Sequence, residues 1–190
     1  MHIASTIAPT MDEQLWHTRT RRLVFDQPPW LRLELHEVVL PNGSVIPDWA
    51  WVETPDFVNV AVQDEDGDFL CFRQTKYAVS GWTLATIGGY MHPGEDPLHA
   101  AQRELLEELG YAAPTWIALG SYAVDGNRGA GRGHLWLARG ARPVQPPNAD
   151  DLEPQEVVRL SRDDVRRALN EGAFKVMSWA TCMALALLHT

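Results

Sequence analysis

The stretch that decides the fold is Gly88 to Tyr111, GGYMHPGEDPLHAAQRELLEELGY. Asp96-Pro97 reads as an N-cap followed by proline at the first helical position. Gly110 reads as the stop, with Pro114 beyond it. Between them Leu98, Ala101, Leu105 and Leu109 mark an apolar side, so the spacing predicts a helix over Pro97–Leu109. Glu104 and Glu108 lie four apart on one face, and Glu107 lies beside Glu104. Three carboxylates at that spacing repel one another, and Arg103 offsets only part of the charge. A hard divalent cation, Mg2+ or Mn2+, relieves the repulsion, because oxygen donors suit it and it keeps open positions for phosphate oxygens. Glutamate-rich helices are also common as solvent-facing stripes, so the helix alone does not decide. Gly88-Gly89 and Gly94-Glu95 stand just before it. Paired glycines let backbone pass close to a ligand, or turn a carbonyl toward the carboxylates; a tight turn is the bland alternative.

Outward from this helix the chain is β-rich. Leu31, Leu33 and Leu35 alternate with polar residues, Asn42-Gly43 interrupts, and Val45 to Trp51 follows, which reads as a hairpin. Pro47 places its second strand at an edge or breaks it. Phe57–Val62 and Phe69–Arg73 flank an acidic turn, Asp64 to Asp68, that lacks calcium-loop spacing. Trp82–Ile87, Trp116–Val124, His134–Ala138 and Val157–Leu160 read as further strands. Ser161 caps a helix that ends near Gly172, and a last helix covers about Met177 to Leu188. Residues 1–20 have weak periodicity and read as a short helix or an arm. The order predicts an α/β (α+β) layered fold with helices on both faces of a mixed sheet. The expected organisation is an arm and hairpin over 1–52, serving dimerisation, and a main domain over 53–190.

Sixteen Lys and Arg against 25 Asp and Glu give a net charge of −9, which argues against a nucleic-acid binder working by phosphate neutralisation. Small anionic substrates stay open, since a bound cation supplies positive charge locally. Cys71 and Cys182 sit in apolar runs and read as buried free thiols. There is no basic-then-apolar leader, and the apolar run Trp179–Leu188 is too short to span a bilayer, so a cytoplasmic protein without a membrane partner is expected.

The pattern Gly89-x5-Glu95-x7-Arg103-Glu104-Leu105-x-Glu107-Glu108-x-Gly110-Tyr111 resembles, position for position, the signature of the Nudix hydrolases, with Tyr111 where an aliphatic residue is commoner. Beyond it, Arg73 to Tyr77, Gly120-Ser121-Tyr122, His134 to Ala138, the late acidic segment and the closing Ala-Leu-rich helix are similar to the ADP-ribose pyrophosphatase branch. The hairpin Leu31–Val52 is similar to the small N-terminal sheet by which that branch forms swapped homodimers. One departure is Asp125 to Gly133, where many ADP-ribose hydrolases carry a proline-glycine element. The resemblance implies an α/β/α Nudix sandwich and Mg2+-dependent (or Mn2+-dependent) hydrolysis of ADP-ribose or a related nucleoside diphosphate sugar. Nucleoside triphosphates, dinucleoside polyphosphates and coenzyme A are the alternative substrates, and a catalytically silent nucleotide-sensing module is the alternative of another class.

The resemblance further implies roles. Glu104, Glu107 and Glu108 are metal ligands, Gly89 offers a carbonyl, Glu95 is an auxiliary carboxylate, and Arg103 orients the acids by charged hydrogen bonds. The general base comes from the late acidic loop, where Glu153 matches best, then Glu156, then Asp151; a helix glutamate is the alternative. Among residues read for substrate binding, Arg128 and Arg132 in the glycine-rich loop suit phosphate or ribose. Trp49, Trp51 and Tyr77 are weighed as base-stacking residues against ordinary packing.

Overall fold

A computed structural model of the chain describes residues 15–148 and 154–189. It forms two compact units. The first takes the described residues up to Thr54 together with Asn127–Gly129. Its strands are β1 (His17–Gln27), β2 (Leu31–Val39) and β3 (Val45–Glu53), antiparallel in the order β1-β2-β3. The expected hairpin is therefore two thirds of a three-stranded sheet. Residues 17–20 are strand rather than helix or arm, while residues 1–14 lie outside the described residues. β1 carries no alternating apolar signal because ten of its 11 side chains are exposed; β2 supplies the ladder that makes it a strand. Gly43 turns the β2–β3 connection at φ 84°, and Pro47 sits on an edge strand, where a missing N–H is tolerated.

The face of β2 that is buried is not the leucine face. Glu34, His36 and Val38 are buried, whereas Leu31 is exposed and Leu33 and Leu35 are half-buried. The aromatic side of β3 explains this: Glu34 pairs in register with Trp51, and His36 with Trp49. Glu34 accepts hydrogen bonds from His36 Nε2 at 2.8 Å and Arg32 Nε at 2.9 Å, so its charge is partnered where it is buried.

The second unit holds Pro55–Gly126 and Ala130 onward. Its elements are β4 (Phe57–Asp64), β5 (Phe69–Lys76), β6 (Val79–Ala85), α1 (Pro97–Leu109), β7 (Tyr111–Ala112), β8 (Thr115–Ala123), β9 (Arg132–Pro143), β10 (Glu156–Leu160), α2 (Arg162–Asn170) and α3 (Met177–Leu187). The sheet runs β10-β5-β4-β9-β7, with β6 on β5 and β8 on β9. Its centre is the parallel pair β4–β9, and its other pairings are antiparallel.

Strand β4 is buried on both sides, as a central strand of an α/β sheet must be. Val58, Val60 and Val62 cluster with Ala100, Ala101, Leu105 and Leu109 of α1. Ala61 turns the other way and clusters with Val165 of α2 and Cys182, Met183 and Ala186 of α3. Helices thus cover both faces. Cys71 and Cys182 are free and buried, and burial pushes both thiols up to about 12. The acidic turn is closed by Asp64, which accepts from the N–H groups of Asp66 and Asp68, and Arg159 pairs with Asp64 and Asp66. No helix among the described residues is long and apolar enough to cross a membrane.

Candidate active site

Local chemistry fixes α1 at both ends. Asp96 Oδ1 accepts from the N–H groups of Leu98 and His99, Pro97 opens the helix, and Gly110 closes it in the left-handed region at φ 71°. This frame holds Glu104, only 9% exposed, against the Gly88-Gly89 backbone. A methyl group on Gly89 would stand 2.6 Å from Glu104 Oε1 and 2.9 Å from Oε2. Gly88 has φ 143°, and a Cβ there would collide with the carbonyl of Val58. Gly89 is required by a close backbone approach to a carboxylate, and Gly88 by its positive φ and a close approach to the Val58 backbone, not by a turn alone.

Arg103 braces the acids. Its Nε donates to Glu95 Oε1 at 2.8 Å and its Nη2 to Glu95 Oε2 at 3.0 Å, a forked pair. Its Nη1 donates to Glu104 Oε1 at 2.8 Å and Glu107 Oε2 at 3.0 Å. The guanidinium therefore touches three of the predicted acidic residues at once. The hydrogen bonds from Arg103 hold the Glu95 carboxyl down at about 2. Glu104 moves the opposite way: desolvation by burial raises it, and Arg103 counters only part of that. Its three acidic partners push the Arg103 guanidinium above its ordinary value. The fourth acid, Glu108, accepts the Gly88 N–H at 2.8 Å. The Gly89 carbonyl accepts from Val58 N–H at 2.9 Å, which engages one of its two lone pairs.

Among the described residues, no three His, Cys, Asp or Glu side chains converge into a closed metal cage. A magnesium site does not need one: it is commonly held through one or two carboxylates, with waters and substrate phosphates completing the shell. The donors here fit that pattern. They are hard carboxylate oxygens on one rigid helix, and the space beside Glu104 is one that a single Cβ would fill.

The remaining predicted residues are scattered. Glu153 and Asp151 lie outside the described residues. Before that loop, Asn148 N–H donates to the Glu107 carbonyl at 2.8 Å; after it, Glu156 opens β10. Glu156 is paired with Arg73 at 3.2 Å across β5 and β10, and the structure does not bring it to the α1 carboxylates. Arg132 donates to Ser121 from the start of β9, and Tyr77 is fully exposed in the β5–β6 turn.

Arg128, Trp49 and Trp51 belong to the first unit. Trp49 Nε1 donates to the Asn127 carbonyl at 3.0 Å, and the Arg128 guanidinium lies 5.4 Å from the Trp49 ring centre. Trp51 stacks on His36 at 5.3 Å, donates to Glu53 and crowds Gly129. Both tryptophans thus make extensive packing contacts.

One feature was not legible from the pattern. A cavity of ≈ 580 Å³ in the second unit is walled by Gly88 and Gly89 on one side and by Phe57, Asn59, Leu135 and Trp179 elsewhere. Asn59 sits in the apolar run Phe57–Val62, and its period-2 position opposite Val58 and Val60 was the one available signal.

Comparison with known proteins agrees with this geometry. Residues 53–180 match the NUDIX domain family, and residues 16–52 match a nucleoside diphosphate sugar hydrolase N-terminal domain. A CMP-5'-(N-acetyl-N-hydroxy-3-aminopropyl)phosphonate hydrolase from Streptomyces rubellomurinus is 29% identical over 157 residues, 83% of this chain and 75% of its own. A methanol dehydrogenase activator from Bacillus methanolicus is 25% identical over 142 residues, 74% of this chain and 76% of its own. The crystal structure of an ADP compounds hydrolase superposes with a TM-score of 0.76 at 18% identity, covering 92% of this chain and 94% of that one, a likeness of fold. With the family match spanning more than half its length, from the end of β3 into α3, the chain belongs to the NUDIX hydrolases.

Proposed function

We propose that the protein is a Mg2+-dependent pyrophosphatase that cleaves the diphosphate of ADP-ribose or a related nucleoside diphosphate sugar, giving a nucleoside monophosphate and a sugar phosphate. The observation that carries this reading is the Glu104 carboxylate, buried against Gly89 and braced by Arg103 beside Glu95 and Glu107. The match of residues 16–52 to a nucleoside diphosphate sugar hydrolase domain favours the substrate class. A second reading, a nucleoside monophosphate joined to a phosphonate, is favoured by the relative whose name carries a CMP-linked phosphonate.

Glu104, Glu107 and Glu108 would hold the cation, with Glu95 and the Gly89 carbonyl as auxiliaries; Mn2+ suits the same oxygens. When bound, a divalent cation neutralises phosphate oxygens and lowers the pKa of a coordinated water. The chain's own part is positional. Arg103 keeps the carboxylates from swinging apart, so no rearrangement is needed when the diphosphate arrives. Glu153 accepts a proton from the attacking water as the new P–O bond forms, and the bridging oxygen leaves with the departing phosphate. Glu156 is the second candidate for that base, although its pairing with Arg73 already engages it.

The protein is further proposed to be a cytoplasmic homodimer. Phe25, Leu33 and Val52 stand in register on one face of the first unit's sheet, and Phe25 is exposed there. Three strands with a part-open apolar face are marginal without a partner. The test of activity is product analysis: with Mg2+, ADP-ribose should yield AMP and ribose 5-phosphate. No turnover of any nucleoside diphosphate derivative, with binding retained, would instead favour a nucleotide-sensing module.

A further inference from the structure

Strand β4 divides its side chains between two helices. Val58 and Val60 cluster with α1 and Ala61 with α3, so Phe57 shares the α3 side. Gly133 of β9 stands in register with Phe57, and Tyr122 of β8 stands in register with Gly133. Each of the two rings leans over a glycine. A Cβ on Gly133 would stand 2.8 Å from the Phe57 ring, and a Cβ on Gly120 would stand 2.7 Å from two carbons of the Tyr122 ring. The Tyr122 hydroxyl donates to the Leu119 carbonyl at 3.0 Å, which pins the far end of that ring.

The outcome is an aromatic floor on the α3 side of the sheet. Phe57, Tyr122 and Leu135 line the ≈ 580 Å³ cavity, and Trp179 of α3 lines it as well. Tyr122 rests on Gly120 backbone yet stays 47% exposed, so the surface it turns away from the sheet is uncovered. A ring seated on one side, pinned at its tip and open on the other is preorganised to take a second flat ring. Among the described residues, Lys76 is the only charged one on the cavity wall, so the floor itself is neutral. Gly88 and Gly89 line the same cavity and meet the Glu108 and Glu104 carboxylates, so a ligand that fills it reaches the α1 acids.

Resting on the proposed reaction, we infer that Tyr122 is a substrate-binding residue whose ring, beside that of Phe57, stacks on a flat heteroaromatic ring of the substrate. Two parts of a nucleoside diphosphate derivative supply such a ring: the nucleobase, or a second ring beyond the diphosphate, as in a dinucleotide. Stacking is indifferent to the hydrogen-bonding edge of the ring, because every base has a π-face. Tyr77, weighed for stacking on its sequence, does not line this cavity.

The test compares ligands with and without the ring. AMP and ribose 5-phosphate are titrated calorimetrically into the full chain with saturating Mg2+. Wild type should bind AMP at least about fivefold more tightly. Tyr122→Phe and Tyr122→Leu both lose the bond to Leu119, but only the leucine variant loses the ring. Tyr122→Phe should keep the preference and Tyr122→Leu should lose most of it. Equal binding of the two ligands by wild type overturns the inference, and so does a preference that Tyr122→Leu retains. The wild-type chain supplies a second readout if the leucine variant does not fold: AMP, and not ribose 5-phosphate, should move the Tyr122 ring-proton resonances upfield by NMR. Resonances that stay in place would overturn the inference equally. The source of the ring is read from KM for ADP-ribose and for diadenosine diphosphate, which carries a base at each end. Tyr122→Leu raises both values if the nucleobase is stacked, and only the second if the ring lies beyond the diphosphate; neither value moving overturns the inference. Ring-dependent binding by a chain that hydrolyses no nucleoside diphosphate derivative would support the stacking floor and remove the proposed reaction. Hydrolysis with no ring preference would do the reverse.

Discussion

Gly89 has no room for even a methyl group. A Cβ at this position would press on both oxygens of Glu104, so Gly89→Ala should displace the carboxylate and lower Mg2+-saturated turnover by about 10–100-fold while circular dichroism stays unchanged. Glu95 and Glu104 should leave opposite marks on stability in metal-free protein. Glu95 is held at about 2, so its share of stability is present above 4.5 and is lost as pH falls from 4.5 toward 2. That share is at most about 3 kcal/mol. Burial raises Glu104, so it opposes folding increasingly as pH climbs past 4.5. Urea unfolding in EDTA at pH 5 and pH 2.5 checks this: the acid-induced loss should be smaller for Glu95→Gln than for wild type. An equal loss in both would mean that the Arg103 fork does not govern Glu95.

Helix α1 is where sequence and structure agree most closely, and the reason is local. Asp96, Pro97 and Gly110 act within a turn of the helix ends, so their types are legible without tertiary information. Gly110 also has a tertiary demand that its type alone does not reveal, since a Cβ would collide with the Gln145 carbonyl. Gly110→Ala should cost at least about 1 kcal/mol, a drop of roughly 2–4 °C or more in Tm by calorimetry. The elements that escaped reading lack such local marks. β1 presents almost no buried side chain, and β7 is two residues long; both exist because a neighbour offers a ladder. The alternation in β2 marks it as a strand, but which side is buried does not follow from it, because the aromatic residues of β3 chose the face. Likewise, the acidic triad is visible as spacing, whereas the Arg103 fork and the unpaired amide of Asn59 depend on how distant segments meet.

At the scale of the whole molecule, the first unit keeps an apolar row part-open, and the second carries the carboxylates and the cavity. If the row is a dimer face, sedimentation at micromolar concentration should show a dimer, and Phe25→Asp should shift it to monomer; a wild-type monomer would refute the assembly. The central claim concerns chemistry, and it reduces to whether the α1 carboxylates drive hydrolysis of a nucleoside diphosphate derivative. The most direct measurement is Mg2+-saturated turnover of wild type and Glu104→Gln on ADP-ribose and on nucleoside diphosphate sugars of each base, with products identified. The account predicts a nucleoside monophosphate and a sugar phosphate from wild type, and a fall of at least about a hundredfold in the folded Glu104→Gln variant. Full turnover by Glu104→Gln, or no cleavage of any such substrate by wild type, would contradict it.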